Sequence, residues 1–398
     1  MKYNNRTKKT NFVSACQCVL ILMLSGPNMA TAQDSTGPTA NLKVQFVQTD
    51  NARAQTDDRA ESDDILILGP ELTALWSVGK SRFRLGYVGN YAFYSDDDEL
   101  DYEDHAFSGS ARFDHSRIFG SDFSIGYVRD HDTFGSTEKL ETDSGGVDTW
   151  SNLNFMAIGS IGRSFSRGQL VGRLRFDERR FLNNNQESRD YDRVMAVATY
   201  FHRITPKTRI LLEGQVADFE YMNDTLLGFN QTNTTYRVLT GLNWTVSEAT
   251  SGSFKIGYLD KRYDDPDIAD VDGLTFILDG KWQPNSFTAL TFGGHRADQE
   301  GVNAINAGFV RTQVFLQARR DVSSRFAIFG EVRVGSDDFN DSRDRKDDRL
   351  LANVGVKFSV LSWLDIGIAY SYRDRDSTND IFDFKINQVT LSADTTFE

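Results

Sequence analysis

Cysteine occurs at positions 16 and 18 and nowhere later, inside a segment read below as a removed leader. The remaining chain therefore has no disulfide framework and no thiolate metal site. Long apolar runs are missing too. No stretch of about 18 apolar residues exists beyond residue 24, which excludes a multi-span helical membrane protein. Proline is scarce, 6 against 31 glycines, and that suits many strands with tight turns better than linkers. Basic charge is outweighed, with a net charge of −13, so duplex nucleic acid is excluded as a partner. Aromatic side chains are plentiful, 29 of them Phe, too many for a disordered chain.

Residues 1–11 are polar and carry Lys2, Arg6, Lys8 and Lys9 with no acid. An apolar segment follows over 12–24, then Ala30-Thr31-Ala32. A charged region, a short apolar region and an A-x-A site read as a secretory signal peptide cut after Ala32. A lipoprotein box around Cys16 is rejected, because almost no apolar segment precedes it. A buried N-terminal helix would leave the basic cluster unexplained. The expectation is a leader over residues 1–32 and one further domain over 33–398. Beyond residue 32 there are 40 bases and 57 acids.

Small polar breaks recur at 79–81, 119–121, 166–168, 205–207, 247–249, 284–285, 322–324 and 361–362. Longer insertions, many of them acidic, fall between them at 50–63, 96–104, 135–148, 183–190, 223–233, 264–272, 299–306, 337–348 and 377–380. Short turns and long loops alternate, as they do in a transmembrane barrel. Between the breaks the residues alternate with period two. Leu170, Gly172, Leu174 and Phe176 oppose Gln169, Arg173, Arg175 and Asp177; Phe326, Ile328, Val332 and Val334 oppose Glu331 and Arg333. A strand turns such alternation into one apolar and one charged face. The segment 194–201 is ambiguous alone and is taken as strand from its place in the rhythm.

The fold class expected is all-β: a transmembrane antiparallel β-barrel of about eighteen strands, both termini on the periplasmic side. No plug domain is expected, since strand-like sequence begins near Asn41. Tyr91, Phe93, Tyr94, Trp150, Phe219, Tyr221 and Trp363 sit near strand ends and are expected at the membrane–water boundary. A soluble sandwich would need to bury Arg173 and Arg175. A β-propeller would need four short strands per repeat of about 40 residues rather than two long ones. The last strand places Val389, Leu391, Ala393, Thr395 and Phe397 on one face. Phe397 is taken as a C-terminal signal read by the barrel assembly machinery.

Residues 273–284 (Gly273-Leu-Thr-Phe-Ile-Leu-Asp-Gly-Lys-Trp-Gln-Pro284), 287–294, 358–364, 366–377 (Ile366-Gly-Ile-Ala-Tyr-Ser-Tyr-Arg-Asp-Arg-Asp-Ser377) and 387–397 resemble the outer-membrane barrels called β-barrel porin 2. The likeness is closest over 271–398. It implies a place in the outer membrane and a role in polysaccharide export or as a diffusion channel.

The inward set expected to line the pore is Arg82, Arg84, Arg112, Arg173, Arg175, Lys255, Lys261, Arg311, Arg319, Arg333, Lys357 and Arg373, with fewer acids, Asp114, Asp177, Glu331 and Asp365. Rings of bases favour anions, and Phe315 and Phe329 on that face would stack on sugars. Two readings stay open: an anion-selective wall, or bases paired with acids to fill the lumen. Five histidines are present, His105, His115, His131, His202 and His295. Asp130-His131-Asp132 is the most enzyme-like cluster, read as polar residues at a wet rim. The acidic stretches 96–99 and 264–272 lack the spacing of a calcium loop. No G-x-S-x-G, H-E-x-x-H or phosphate-cradling loop occurs.

The expectation is therefore a channel and not an enzyme. No catalytic residue, cofactor or metal ligand is assigned. The main reading is a conduit or accessory in export of an anionic polysaccharide. The alternative is a general or solute-selective uptake porin, with a barrel hydrolase a distant third. Expected partners are outer-membrane lipid, lipopolysaccharide, the assembly machinery and polysaccharide export components.

Overall fold

The computed structural model describes residues 37–137, 139, 146–225, 228–247, 249–303, 306–339 and 345–397. The expected leader, residues 1–32, lies outside the described residues. Eighteen strands follow one another. They are β1 (Gly37–Thr49), β2 (Asp63–Val78), β3 (Ser81–Tyr94), β4 (Tyr102–Phe113), β5 (Phe119–Asp132) and β6 (Asp148–Ile161). Next come β7 (Gly168–Phe181), β8 (Tyr191–Thr205), β9 (Thr208–Tyr221), β10 (Asn233–Ser247), β11 (Thr250–Tyr263) and β12 (Val271–Asn285). Last are β13 (Thr288–Asn303), β14 (Asn306–Asp321), β15 (Phe326–Phe339), β16 (Lys346–Leu361), β17 (Leu364–Ser377) and β18 (Phe384–Phe397). The first strand begins four residues before the expected Asn41, and 194–201 lies within β8.

Each strand pairs antiparallel with its sequence neighbours. The ring closes where β1 meets β18, from Ala40↔Phe397 to Thr49↔Gln388. Closure leaves no strand edge, which the hydrocarbon core of a membrane requires. The strand ends joined by short turns form one end of the barrel, and both Gly37 and Phe397 lie there. Gly79, at φ +62°, makes the two-residue turn between β2 and β3. Two expected turns are displaced: β4 and β5 are joined by residues 114–118, with Phe119, Gly120 and Ser121 already in β5, and β12 runs through Pro284 and Asn285 to a turn at 286–287. Asp114 thus lies in a turn and not on the lumen wall.

Burial is inverted relative to a soluble protein. Leu174, Leu212 and Val354 are 61%, 57% and 54% exposed, whereas Asp148, Lys261 and Asp337 are 0% exposed. Apolar side chains point out all round the ring and charged ones point in. Only a barrel immersed in lipid makes that arrangement favourable. Trp76, Trp282, Phe287 and Trp363 are exposed near the turns, and Phe93, Tyr236 and Tyr258 toward the loops. Four expected boundary aromatics sit elsewhere, Tyr94 among them, on the parity of Arg82 and Arg84 and packed on the buried Val47, Ile65 and Ala92. Trp150, Phe219 and Tyr221 are 8%, 7% and 5% exposed and face inward, because their strand parity matches the charged set.

At the turn end Arg163 ties two turns together. It donates to Asp114 Oδ1 at 2.7 Å and to the carbonyls of Ser116 and Arg117 at 2.5 and 3.0 Å. The hydrogen bond from Arg163 holds the Asp114 carboxyl below the usual carboxylate range. The ionic part of this tie is complete above the unfolded Asp value of about 3.9 and is lost as pH falls through the lower folded value. Arg163→Ala is expected to lower the midpoint of heat-modifiable gel migration by ~1 kcal/mol or less in stability at neutral pH. The gap to the parent protein should narrow below about pH 4 without closing, since the two carbonyl bonds do not titrate.

Candidate functional site: a basic lumen narrowed by two inserted segments

The candidate site is the lumen. All eleven bases placed there from the alternation pattern, Arg82, Arg84, Arg112, Arg173, Arg175, Lys255, Arg311, Arg319, Arg333, Lys357 and Arg373, lie on the inward parity of their strands, as does Lys261. Leu85, Leu174, Ile256, Val314, Val332, Phe358 and Ile366 mark the opposite, exposed parity of those strands. Phe315 and Phe329 also lie inward.

Many of these bases are paired, at the loop end, at mid-height and, for Lys255 and Lys357, in the turn-end half. Arg175 donates to both oxygens of Asp177 at 2.9 Å, and Arg193 reaches the same carboxylate at 2.6 Å. Arg311 and Arg349 both hold Asp337, at 2.9 Å. Arg333 meets Glu331 at 2.6 Å, Lys255 meets Glu213 at 2.9 Å, and Lys357 lies 3.1 and 3.0 Å from Asp365 and Asp394. Lumen acids are therefore more numerous than the alternation pattern implied. Glu213, Asp337 and Asp394 belong to the inward face, and two further acids arrive on a folded-in hairpin.

That hairpin is the loop end of β13 and β14. Register between β12 and β13 ends at Phe276↔Arg296, yet β13 stays paired with β14 to Asn303↔Asn306. Register between β14 and β15 begins at Phe309↔Phe339. Residues 297–303 and 306–308 thus leave the wall on both sides. The segment 299–306, expected as a loop, lies largely within this continued pairing. Glu300 accepts from Lys261 Nζ at 2.6 Å, Tyr221 Oη at 3.0 Å and Asn233 Nδ2 at 3.3 Å, reaching β9, β10 and β11. Asp298 pairs with Arg237 of β10. A Cβ on Gly308 would lie 2.9 Å from Tyr263 Oη, so the hairpin rests directly on the β11 wall.

The second inserted segment is 133–137, the described start of the connection between β5 and β6; residues 138 and 140–145 of the expected loop 135–148 lie outside the described residues. Thr137 donates to Asp337 Oδ2 of β15 at 2.5 Å, and Arg373 of β17 donates to the Phe134 carbonyl at 3.3 Å. A Cβ on Gly135 would lie 2.8 Å from the Phe384 ring of β18. β15 stands ten strands on from β5 in an eighteen-strand ring, so these contacts cross the lumen. Together this segment and the hairpin narrow its loop end.

Toward the turn end the wall is different. Among the described residues Arg82, Arg84 and Arg173 have no carboxylate within 4 Å, and the Arg173 Nε is buried without a hydrogen-bond partner. Arg82 stands opposite Arg112 in register; Arg112 itself has only Asp122, at 3.7 Å. Arg209 is held by neutral groups, Asn243 Oδ1 at 2.7 Å and Gln169 Oε1 at 2.7 Å. Other predicted bases of this half do have acids: Arg319 pairs with Asp321 at 2.9 Å, and Lys255 and Lys357 hold the carboxylates named above. The lumen thus runs from a charge-paired constriction to a vestibule with surplus positive charge.

A family model described as "Putative beta-barrel porin 2" matches residues 38–397. The chain belongs to this family. No curated protein matches it in sequence. Among solved structures it is similar to OccK2 (OpdF) of Pseudomonas aeruginosa, with 11% identity over 90% of this chain and 98% of that chain at a TM-score of 0.49. It is also similar to the outer membrane protein OpdK of the same organism, at 12%, 90%, 99% and 0.48. A BenF-like porin of Pseudomonas fluorescens gives 10%, 90%, 99% and 0.49. This porin-family barrel lies in the bacterial outer membrane, short turns toward the periplasm and long loops outside. It is a porin-like channel.

The conserved parity of β18 sets Phe397 outward, 54% exposed at the turn end, its ring stacked on Trp363 at 6.3 Å. Arg179, Arg193, Arg209, Arg237 and Arg349 were missing from the predicted inward set. Arg179 shares its parity with Arg173 and Arg175 on β7, and Arg349 with Lys357 on β16, so extending the alternation to the strand ends finds both.

Proposed function

We propose that the barrel is a passive outer-membrane channel for small anionic solutes, loaded through the loop end and released past a basic periplasmic vestibule. The observation that carries this reading is the set of guanidinium groups without carboxylates at the turn end, Arg82, Arg84 and Arg173. A water-filled pore walled by unpaired cations lowers the barrier for anions and raises it for cations. The hairpin and the segment 133–137 that cross the lumen favour a small solute over a polymer, since an exported polysaccharide would have to displace both. Uptake is therefore preferred to polysaccharide export. Lipid and lipopolysaccharide are the partners that fit the apolar outer wall, and the outward Phe397 at the closing strand fits recognition by the assembly machinery.

In proteoliposomes, gluconate is expected to cross several-fold faster than sorbitol, a neutral polyol of the same carbon count. Equal rates, or faster sorbitol, would contradict anion preference. Passage of long anionic glycan fragments at the rate of gluconate would restore the export reading.

A further inference from the structure

At the loop end of β4 and β5 stands a cluster that the channel reading leaves unused. Among the described residues, Asp104, Asp130 and His131 are the one set of three carboxylate or imidazole side chains whose ligating atoms lie within 4.8 Å of one another. His131 Nδ1 is 2.9 Å from Asp104 Oδ1 and 3.6 Å from Asp130 Oδ1. An ion holding nitrogen and oxygen ligands tetrahedrally at about 2.0–2.1 Å places those atoms roughly 3.3 Å apart. The two observed distances fall on either side of that value, so a few tenths of an ångström of side-chain movement would seat an ion.

Asp104 and His131 are held by neighbours outside the set, and Asp130 by the backbone N–H of His131. Asn90 Nδ2 donates to Asp104 Oδ2 at 3.5 Å and to Tyr102 Oη at 3.3 Å. The His131 ring stacks on Tyr102 at 3.9 Å, and the His131 backbone N–H donates to Asp130 Oδ1 at 2.8 Å. Such outer contacts fix ligand orientation before a metal arrives. Asp132, next in sequence, is engaged elsewhere, by Trp150 Nε1 at 3.0 Å and Arg189 at 2.8 Å. The side chains of Asp104, Asp130 and His131 are 14%, 31% and 10% exposed, enough for an ion to enter and for a fourth position to stay open.

Charge points the same way. Two carboxylates on adjacent strands repel each other; Arg179 and a protonated His131 face them, and a divalent ion between the two would offset both directly. One imidazole nitrogen with two carboxylate oxygens suits zinc and similar first-row ions, and falls short of the six to eight oxygens calcium takes. We propose that Asp104, Asp130 and His131 form a zinc-type divalent metal site at the loop-end wall of the channel. The ion takes the Nδ1 lone pair, so His131 carries its proton on Nε2 in the loaded form. Binding would fix the end of β5, from which the lumen-crossing segment 133–137 departs.

The test is calorimetric titration of ZnCl2 into tag-free protein in detergent. One Zn2+ per chain is expected to bind, and millimolar Ca2+ or Mg2+ should not displace it. His131→Ala and Asp104→Asn should each weaken binding by about tenfold or more, with His202→Ala, at a histidine outside the cluster, unchanged. Heat-modifiable migration reports that each variant is folded, and Asp130→Asn replaces any variant that is not. Absence of stoichiometric binding, or equal affinity in parent, His131→Ala and Asp104→Asn proteins, overturns the site.

Discussion

Replacing Asp298 and Glu300 together by alanine is expected to raise single-channel conductance at least about twofold, the largest functional effect among simple variants. Lys261 is fully buried and meets Glu300 at 2.6 Å, with Asp298 a second acid at 3.9 Å. Arg237 pairs with Asp298. Removing one partner of a buried pair leaves an uncompensated charge that costs roughly 3–5 kcal/mol. Here the cost falls on docking of the loop end of the β13–β14 hairpin rather than on the barrel, because residues 297–303 and 306–308 are free of β12 and β15 on their flanks. The hairpin should leave the wall, the constriction should widen, and anion preference should rise with two acids gone. Planar-bilayer recording checks this. Unchanged conductance would mean that the hairpin does not stand in the ion path.

The largest expected effect on stability is at Asp337. This carboxylate is 0% exposed and accepts from Arg311, Arg349 and Thr137. Asp337→Ala would remove the carboxylate that Arg311 and Arg349 share and the acceptor that holds Thr137. A loss of roughly 3–5 kcal/mol is expected, read as a lower midpoint of heat-modifiable migration. Thr137→Val removes only a hydroxyl hydrogen bond, worth about 1 kcal/mol, and leaves the ion cluster intact. If Asp337→Ala and Thr137→Val proved equally mild, the cluster would not be what joins β14, β15 and β16 on the inner face.

The contrast between those residues explains what could be read from sequence. Alternation by two assigns Arg173, Arg175 and Asp177 to one face with no knowledge of neighbours, because the face of a strand residue is a local property. Pairs two positions apart, such as Arg175 with Asp177 and Glu331 with Arg333, follow at once. Partners such as Lys255 with Glu213, 42 positions apart, or Lys261 with Glu300, 39 apart, depend on strand register and on where a hairpin folds. Sequence carries no local signal for either. Asp337 was read as part of a solvated acidic loop for the same reason. Composition cannot tell a strand end that turns into the lumen from one that projects into solvent. The turn at 114–118 was displaced because Gly120 and Ser121 look like turn residues, while Phe119 supplies the outward apolar side chain that starts β5. Inward Trp150, Phe219 and Tyr221 were sent to the membrane boundary by residue type, although their parity opposed it. Arg179 lies over Trp150 at 3.9 Å and Arg193 over Phe219 at 5.4 Å, so these rings serve the charged wall.

The central claim is that surplus positive charge at the turn end governs what passes. The direct measurement is the zero-current potential of the reconstituted protein across a bilayer with a tenfold KCl gradient. The account predicts a sign set by chloride over potassium, moving toward zero when Arg82, Arg84 and Arg173 are all replaced by glutamine. A potential set by potassium, or one that ignores the triple replacement, would contradict it.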